Sequence, residues 1–354
     1  MFCSVSKGGR PVDPAINTRA PLRAPFAVCL WLTDYCNLAC KYCYAMPFQG
    51  KRIDTGRVLE LIDELIELGV FDLTLAGGEP LLHPDVMDII HHSVKGGLRV
   101  GVLTNGTMVN QKFCEELEEL VSEKNFILQV SLDSIDPTIN DVSRGRTEEV
   151  VRNIRALKGT KMQVQLSCVV HKLNAATAHL LIEEFYPDIK RFHFLNIQRT
   201  VQALKHPELL LDEEDAFQFW MNLNEYSRQF PPDLFLPSLR IQMRSRGSAH
   251  VEPEFSLSDE AGFECSSCSA GWTHLNITTD FDVLGCDIAK DYIRMGNVRH
   301  RSFYDVWHSP EAHAVRNAPF PACYRIKGPT GERLEDWLKV EYKHAVGTSE
   351  REQG

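Results

Sequence analysis

The sequence predicts an α/β fold built on a parallel barrel, complete or partial, and two observations carry that prediction. From about residue 26 to 198, six short β-rich runs alternate with stretches of helical period. Within two of those runs, polar and apolar residues also alternate, which a barrel filled with side chains would not require.

The candidate strands, in order, are 26–33 (FAVCLWLT), 71–76 (FDLTLA), 98–105 (LRVGVLTN), 126–133 (FILQVSLD), 162–170 (MQVQLSCVV) and 191–197 (RFHFLNI). The clearest intervening helix is TGRVLELIDELIELG at 55–69, where Val58, Leu59, Ile62, Leu65, Ile66 and Leu68 form an apolar stripe. Asp54 or Thr55 can cap its start and Gly69 can end it. In the fourth strand Gln129, Ser131 and Asp133 lie opposite Leu128, Val130 and Leu132. In the fifth, Gln163, Gln165 and Ser167 lie opposite Val164, Leu166 and Cys168. Such a polar face either lines an open lumen that holds a ligand or meets solvent from an edge strand.

Beyond the six repeats, residues 199–262 read as a linker with one helix, 212–230, stopped by Pro231 and Pro232. A cysteine-bearing α+β segment occupies 263–325. Residues 326–354 read as a terminal helix with a frayed tail, and 1–25 as an N-terminal extension.

Bulk properties narrow the function. The chain has 354 residues, 44% hydrophobic and 24% charged, with a formal net charge of -10. That charge argues against nucleic acid or an anionic membrane as partner, and the basic run RIQMRSR at 240–246 reads as a solvated loop. No segment approaches the roughly 18 unbroken apolar residues of a spanning helix. The first residues lack the apolar stretch of a secretory signal, so the expected location is cytoplasmic. In a reducing compartment, eleven cysteines point to metal or redox chemistry rather than disulfides.

Three of them stand in CNLACKYC, as Cys36-x3-Cys40-x2-Cys43, just after the first strand. Structural zinc takes four protein ligands and an ordinary cubane takes four thiolates. Three thiolates on a four-iron cluster leave one iron with open positions, the design of a site that binds an exogenous ligand. A zinc or reactive-thiol site is the competing reading.

The motif, with Tyr42 in the aromatic place of C-x3-C-x-aromatic-C, resembles the signature of the radical S-adenosylmethionine (SAM) superfamily. That resemblance implies a partial (β/α)6 barrel of TIM type. It also implies a [4Fe-4S] cluster on Cys36, Cys40 and Cys43 that cleaves SAM to a 5′-deoxyadenosyl radical, which abstracts hydrogen from substrate. Gly77-Gly78-Glu79-Pro80 resembles the family's second-strand motif. A glycine pair at a strand end lets a ligand approach the backbone, and Glu79 can accept from the SAM ammonium. TNGT with Asn105, and VSLDS with Ser131 and Asp133, resemble strand-end segments that contact SAM. By the same resemblance Arg144 in SRGR pairs with the SAM carboxylate, and the backbone of 169–174 edges the adenine.

Four further cysteines follow as Cys265-x2-Cys268-x17-Cys286 and then Cys323. A zinc ribbon would need a cysteine where Ala289 stands. The surrounding sequence resembles the SPASM or twitch extension of radical SAM enzymes, in truncated form. Phe281 stands at a usual turn glycine, and the later cysteine series is reduced to Cys323. One auxiliary [4Fe-4S] cluster on Cys265, Cys268, Cys286 and Cys323 is implied, ligated by all four or by three with one iron open. Cys29, Cys114 and Cys168 read as small core residues. His83, His91 and His92 read as surface or helix-start residues without an acidic partner, and Tyr44 as packing or facing the site.

The resemblance is strongest to maturases of ribosomally made peptides, which form crosslinks, epimerise or rearrange the backbone. It implies a precursor peptide as substrate and a reductant such as flavodoxin or ferredoxin. Only 35 residues precede Cys36, too few for a winged-helix recognition domain, so recognition falls to a separate small protein or to 199–262. The alternative is a small-molecule dehydrogenase or cyclase.

Overall fold

The computed structural model describes residues 22–45, 49–197, 201–231, 271–286 and 294–317. Its centre is one nine-stranded sheet. Strands β1 (Ala27–Thr33), β2 (Asp72–Gly77), β3 (Arg99–Thr104), β4 (Phe126–Ser131), β5 (Gln163–Val170) and β6 (Arg191–Asn196) pair in chain order, all parallel. Each lies within two residues of its expected run. Among the described residues the sheet does not close: β6 is an edge, and β1 pairs instead with β7 (His274–Ile277), also parallel. An antiparallel meander, β8 (Asp282–Leu284) and β9 (Arg294–Asn297), completes the order β6-β5-β4-β3-β2-β1-β7-β8-β9. The C-terminal extension is thus a continuation of the barrel sheet.

Helices cover the convex face. Helix α1 (Thr55–Leu68) begins where the Asp54 side chain accepts from Arg57 N and ends at Gly69, whose φ of 83° is left-handed. Its Val58, Leu61, Ile62 and Leu65 are buried, while Leu59, Ile66 and Leu68 pack at the margin of the core. Also on the barrel are α2 (Val86–Lys95), α3 (Gln111–Leu117), α4 (Pro137–Ser143), α5 (Thr147–Arg155) and α6 (Leu180–Phe185). After β6 come α7 (Val201–Leu204) and α8 (Glu213–Ser227), the latter capped by Asp212. Two short helices, α9 (Phe303–Trp307) and α10 (Pro310–Asn317), back the meander.

The alternation of β4 and β5 now has its cause. Leu128 and Val130 are fully buried on the helix side, whereas Gln129 and Ser131 are half-buried on the other face. Neither strand is an edge, so the solvent-edge reading of their polar face falls. Gln129 and Gln165 sit in register and share a hydrogen bond of 2.7 Å across the concave face.

Phe281, at the turn between β7 and β8, has φ 64° and is fully buried, with the Arg299 guanidinium 5.0 Å from its ring centroid. The backbone there takes the conformation that glycine adopts without cost. Cys265, Cys268, Cys323, Ala289, the basic run 240–246, the N-terminal residues 1–21 and the terminal helix in 326–354 lie outside the described residues.

Candidate active site

The three-cysteine loop leaves the C-terminal end of β1, the end where parallel sheets hold their ligands. Its neck is closed by Asp34 and Lys51: Asp34 N donates to Lys51 O at 3.0 Å, and Lys51 N to Asp34 Oδ1 at 2.5 Å. Thr33 Oγ1 donates to Lys51 O at 2.7 Å and accepts from Tyr35 N at 3.0 Å.

The glycine pair serves this loop. Gly78 N donates to Thr33 O at 2.7 Å and Glu79 N to Tyr35 O at 2.8 Å. A Cβ on Gly77 would stand 2.2 Å from Thr33 O, and one on Gly78 2.2 Å from Tyr35 O. The close approach expected for a ligand is therefore taken by the chain itself. Glu79 is also committed within the fold: its oxygens accept from Leu81 N (3.1 Å), Thr104 Oγ1 (2.8 Å) and Asn105 N (2.7 Å). Burial pushes its carboxyl pKa up against those bonds. Pro80 is buried at the start of a 3-10 turn, Pro80–Leu82.

Asn105 fixes the first cysteine. Its Nδ2 donates to Asn37 Oδ1 at 2.8 Å and lies 3.7 Å from Cys36 Sγ, which also accepts from Leu38 N at 3.4 Å. Asn37 in turn donates to Thr107 Oγ1 at 2.8 Å. Lys41 N donates to Ser143 O, and Cys43 N to Cys40 O, at 3.0 and 3.1 Å. The loop is held from β2, β3 and α4 together.

Behind Tyr42 lies a buried polar network. Tyr42 Oη donates to Asp133 Oδ2 at 2.5 Å and accepts from Arg144 Nη1 at 2.8 Å, while Arg144 Nη1 is 3.9 Å from Asp133 Oδ1. Val169 N donates to Asp133 Oδ1 at 3.0 Å and Ser143 Oγ to Oδ2 at 3.1 Å. His171 Nε2 stands 3.7 Å from Oδ2. Asn174 Nδ2 donates to the Asp133 and Val169 carbonyls at 3.0 and 2.9 Å. Burial alone would raise the Asp133 pKa, but Arg144, His171 and Tyr42 overcome it and hold the carboxyl below its ordinary value. Burial pushes the Tyr42 hydroxyl well up. Asp133 is a fully buried hub, and the 169–174 backbone is joined to it. Ser131 is half-buried on the concave face, in register with Ser167. Asn174, His171, Ser143 and Thr107 are not named individually from sequence, although they lie in the segments 169–174, SRGR at 143–146 and TNGT at 104–107 that the sequence points to.

The donor chemistry of the loop fits a cluster. Burial raises the pKa of all three thiols, Cys43 to about 11, so an electropositive centre is needed to hold them as thiolates at neutral pH. Among the described residues no three His, Cys, Asp or Glu side chains gather as a single-ion site. A cubane would take the three thiolates on three different irons and leave its fourth iron open.

Other residues depart from expectation. His83 is 3% exposed, its Nε2 donating to Ile53 O at 3.2 Å, so it is a core residue and not a surface one. His92 does have an acidic partner, Asp63 Oδ1 at 2.6 Å. Cys168 is buried as expected, whereas Cys29 and Cys114 are half-buried. Tyr44 is 43% exposed, with its ring 6.3 Å from that of Trp31. Of the auxiliary set, Cys286 lies two residues beyond the end of β8, half-buried.

An open parallel sheet with a three-cysteine loop on its first strand defines a radical SAM enzyme, and the chain belongs to that superfamily. The radical SAM superfamily model matches residues 32–184, and an iron–sulfur cluster-binding domain model, SPASM, matches 268–325. The second match contains Cys268, Cys286 and Cys323 and begins after Cys265. The chain is 25% identical over 301 residues to the PqqA peptide cyclase of Xanthomonas campestris pv. campestris (strain 8004), covering 82% of this chain and 75% of that protein. It is 24% identical over 321 residues to the antilisterial bacteriocin subtilosin biosynthesis protein AlbA of Bacillus subtilis (strain 168), covering 87% of this chain and 65% of that protein. The structure of Streptococcus suis SuiB bound to precursor peptide SuiA has the same fold, with a TM-score of 0.67 at 18% identity, over 84% of this chain and 67% of that one. The cofactors of the family are iron–sulfur clusters and SAM. No helix among the described residues is long and apolar enough to cross a membrane.

Proposed function

We propose that this enzyme matures a ribosomally made precursor peptide by radical chemistry initiated at the Cys36–Cys43 loop. The observation that carries the reading is the similarity, over 82% of the chain, to a protein named for cyclising a peptide. When bound, the cluster and SAM supply a 5′-deoxyadenosyl radical on reduction.

The chain's own part is to place and shield. Cys36, Cys40 and Cys43 would hold the cluster through three of its irons, leaving the fourth for SAM. Asn105 orients Cys36, and Gly77, Gly78, Glu79 and Pro80 lock the loop to β2 and offer backbone carbonyls toward SAM. Arg144, with N–H donors besides the one on Tyr42, takes the SAM carboxylate. Asp133 holds Tyr42 and Arg144 in place, and Ser131 meets SAM from the concave face. That face, with Gln129 and Gln165, receives the substrate and excludes water.

Residues 26–198 form the radical SAM unit. The 263–325 segment holds one auxiliary [4Fe-4S] cluster on Cys265, Cys268, Cys286 and Cys323. A cytoplasmic flavodoxin or ferredoxin supplies electrons. A separate small recognition protein, or residues 199–262, presents the peptide.

The test is co-expression with a precursor peptide encoded beside this chain, followed by mass spectrometry of the peptide. A mass change that the C36A/C40A/C43A variant abolishes is expected. An unmodified peptide, while the anaerobic enzyme still forms 5′-deoxyadenosine from SAM and dithionite, would overturn the peptide reading and leave the radical chemistry standing.

A further inference from the structure

Strand β6 carries a polar side chain on the concave face that the site described above does not use. Its Phe192 and Phe194 are 1% and 2% exposed on the helix side, where Phe194 packs on Phe219 of α8 with ring centroids 5.8 Å apart. His193 stands between them in sequence and so points to the other face. Register fixes its neighbours: Ser131 of β4 pairs with Ser167 of β5, and Ser167 with His193. The three form one row across the concave face, about 10 Å from first to last at about 4.8 Å per strand.

That row adjoins the cysteine loop. Two residues further along, Val169 pairs with Leu195. Val169 N donates to Asp133, which also accepts from Tyr42 of the loop. His193 is thus one layer, about 7 Å along the strand, below the level of Tyr42 and Asp133. One layer deeper still, Gln129 and Gln165 hydrogen-bond each other.

His193 has no such arrangement. The residue is half-buried, and its Nδ1 is buried with no hydrogen-bond partner among the described residues. Burial lowers its pKa, so the ring is neutral at neutral pH, able to donate from one nitrogen and accept at the other. Native folds rarely leave a buried polar atom unpaired. On the wall of a ligand-holding lumen, the missing partner belongs to the ligand. Ser131, at the near end of the row, is where the SAM reading places the cofactor. The far end, two strands away and one layer below Asp133, faces what lies beyond the cofactor.

We propose that His193 is a substrate-binding residue, its imidazole hydrogen-bonding a polar group of the peptide beside the residue being modified. The proposal rests on the peptide reading above and names a contact that reading leaves open.

The experiment uses the full-length, anaerobically reconstituted enzyme with SAM, dithionite and the precursor peptide encoded beside this chain. Initial rates of peptide modification are followed by mass spectrometry for wild type, H193F, H193A and H193Q. Iron per chain and SAM affinity, by equilibrium dialysis, are measured in parallel. H193F and H193A should lower kcat/KM for the peptide about tenfold or more, the cost of leaving a buried polar group of the substrate unpaired. H193Q, which keeps a donor and an acceptor, should stay within about threefold of wild type. Iron content and SAM affinity should be unchanged in all three. Wild-type kcat/KM in H193F would overturn the proposal. Equal losses in H193F and H193Q would also overturn it, since shape and not hydrogen bonding would then decide. A matching loss of iron or of SAM affinity would assign His193 to the surroundings of the cofactor and overturn it as well. If wild type leaves the peptide unmodified while forming 5′-deoxyadenosine, the peptide reading falls and this contact falls with it. A peptide modified equally well by wild type and H193F removes this contact alone.

Discussion

Asp133 holds more of the site than its one place in a motif implies. Its two oxygens meet Tyr42, Ser143 and Val169, and Arg144 stands beside them, all away from water. In Asp133→Asn an amide donor must face one of those N–H or O–H groups, and Arg144 loses its counter-ion. Removing one member of a buried pair typically costs about 3–5 kcal/mol, so urea denaturation should give a loss of about 3 kcal/mol. The pH dependence has a definite sign. A carboxyl held below its ordinary value of about 3.9 stabilises the fold fully above that value and ceases to as pH falls through the lower folded one. Glu79, raised by burial, acts in the opposite sense, since its protonation relieves a cost. Wild-type stability should therefore fall more steeply than that of Asp133→Asn below about pH 4; equal slopes would contradict this. Strand alternation was enough to place Asp133 on the inner face. Its partners were not legible, because they arrive from three segments, the loop after β1, the end of α4 and the end of β5, that only the folded chain brings together.

At the scale of the element, two turns hold the answer to how loops are seated on the sheet. Gly78 lets the loop after β1 rest on the end of β2. A Cβ there would meet Tyr35 O at 2.2 Å and Tyr35 C at 2.6 Å, backbone atoms with no rotamer to escape into. Gly78→Ala should lift the loop and reduce the iron held by the Cys36 set, measured as iron per chain with Cys265, Cys268, Cys286 and Cys323 replaced by alanine. Phe281 sets two effects against each other. Its left-handed backbone costs about 1–2 kcal/mol, while deleting a fully buried ring costs about 3–5 kcal/mol. Packing wins, and Phe281→Gly should destabilise by about 2 kcal/mol in thermal unfolding. Both positions were visible in the sequence, one as a glycine pair and one as a missing glycine. What the pattern could not reveal was that the Gly77–Gly78 approach is to residues 33–35. That contact depends on the path of the β1 loop, which has no periodicity to read.

The whole molecule differs most from its sequence pattern where β7 joins β1. Strand periodicity identified all six barrel strands, but it cannot register a strand from the last third of the chain against Ala27–Leu30. Arg57 fastens the junction from the outer layer. On α1, it donates through Nε and Nη2 to Val298 O at 3.0 and 2.8 Å, through Nη2 to Arg301 O at 3.2 Å, and through Nη1 to Glu64 at 2.8 Å. Glu64 also accepts from Phe303 N at 2.5 Å, so one ion pair grips the segment on both sides of Ser302. With the guanidinium 85% or so shielded, its side chain being 15% exposed, these bonds count as charged and partly buried, about 1.5–3 kcal/mol each at most. They lie at one junction only, and the paired strands β1 and β7 lie beneath. Arg57→Met should therefore loosen the meander before it unfolds the barrel. Native-state hydrogen exchange should report faster exchange at Ile277, Val283 and Met295, with Leu75, Val102 and Val130 unchanged. Uniform acceleration across both groups would mean that barrel and extension open as one cooperative unit. In that case both iron–sulfur regions share a single unfolding free energy.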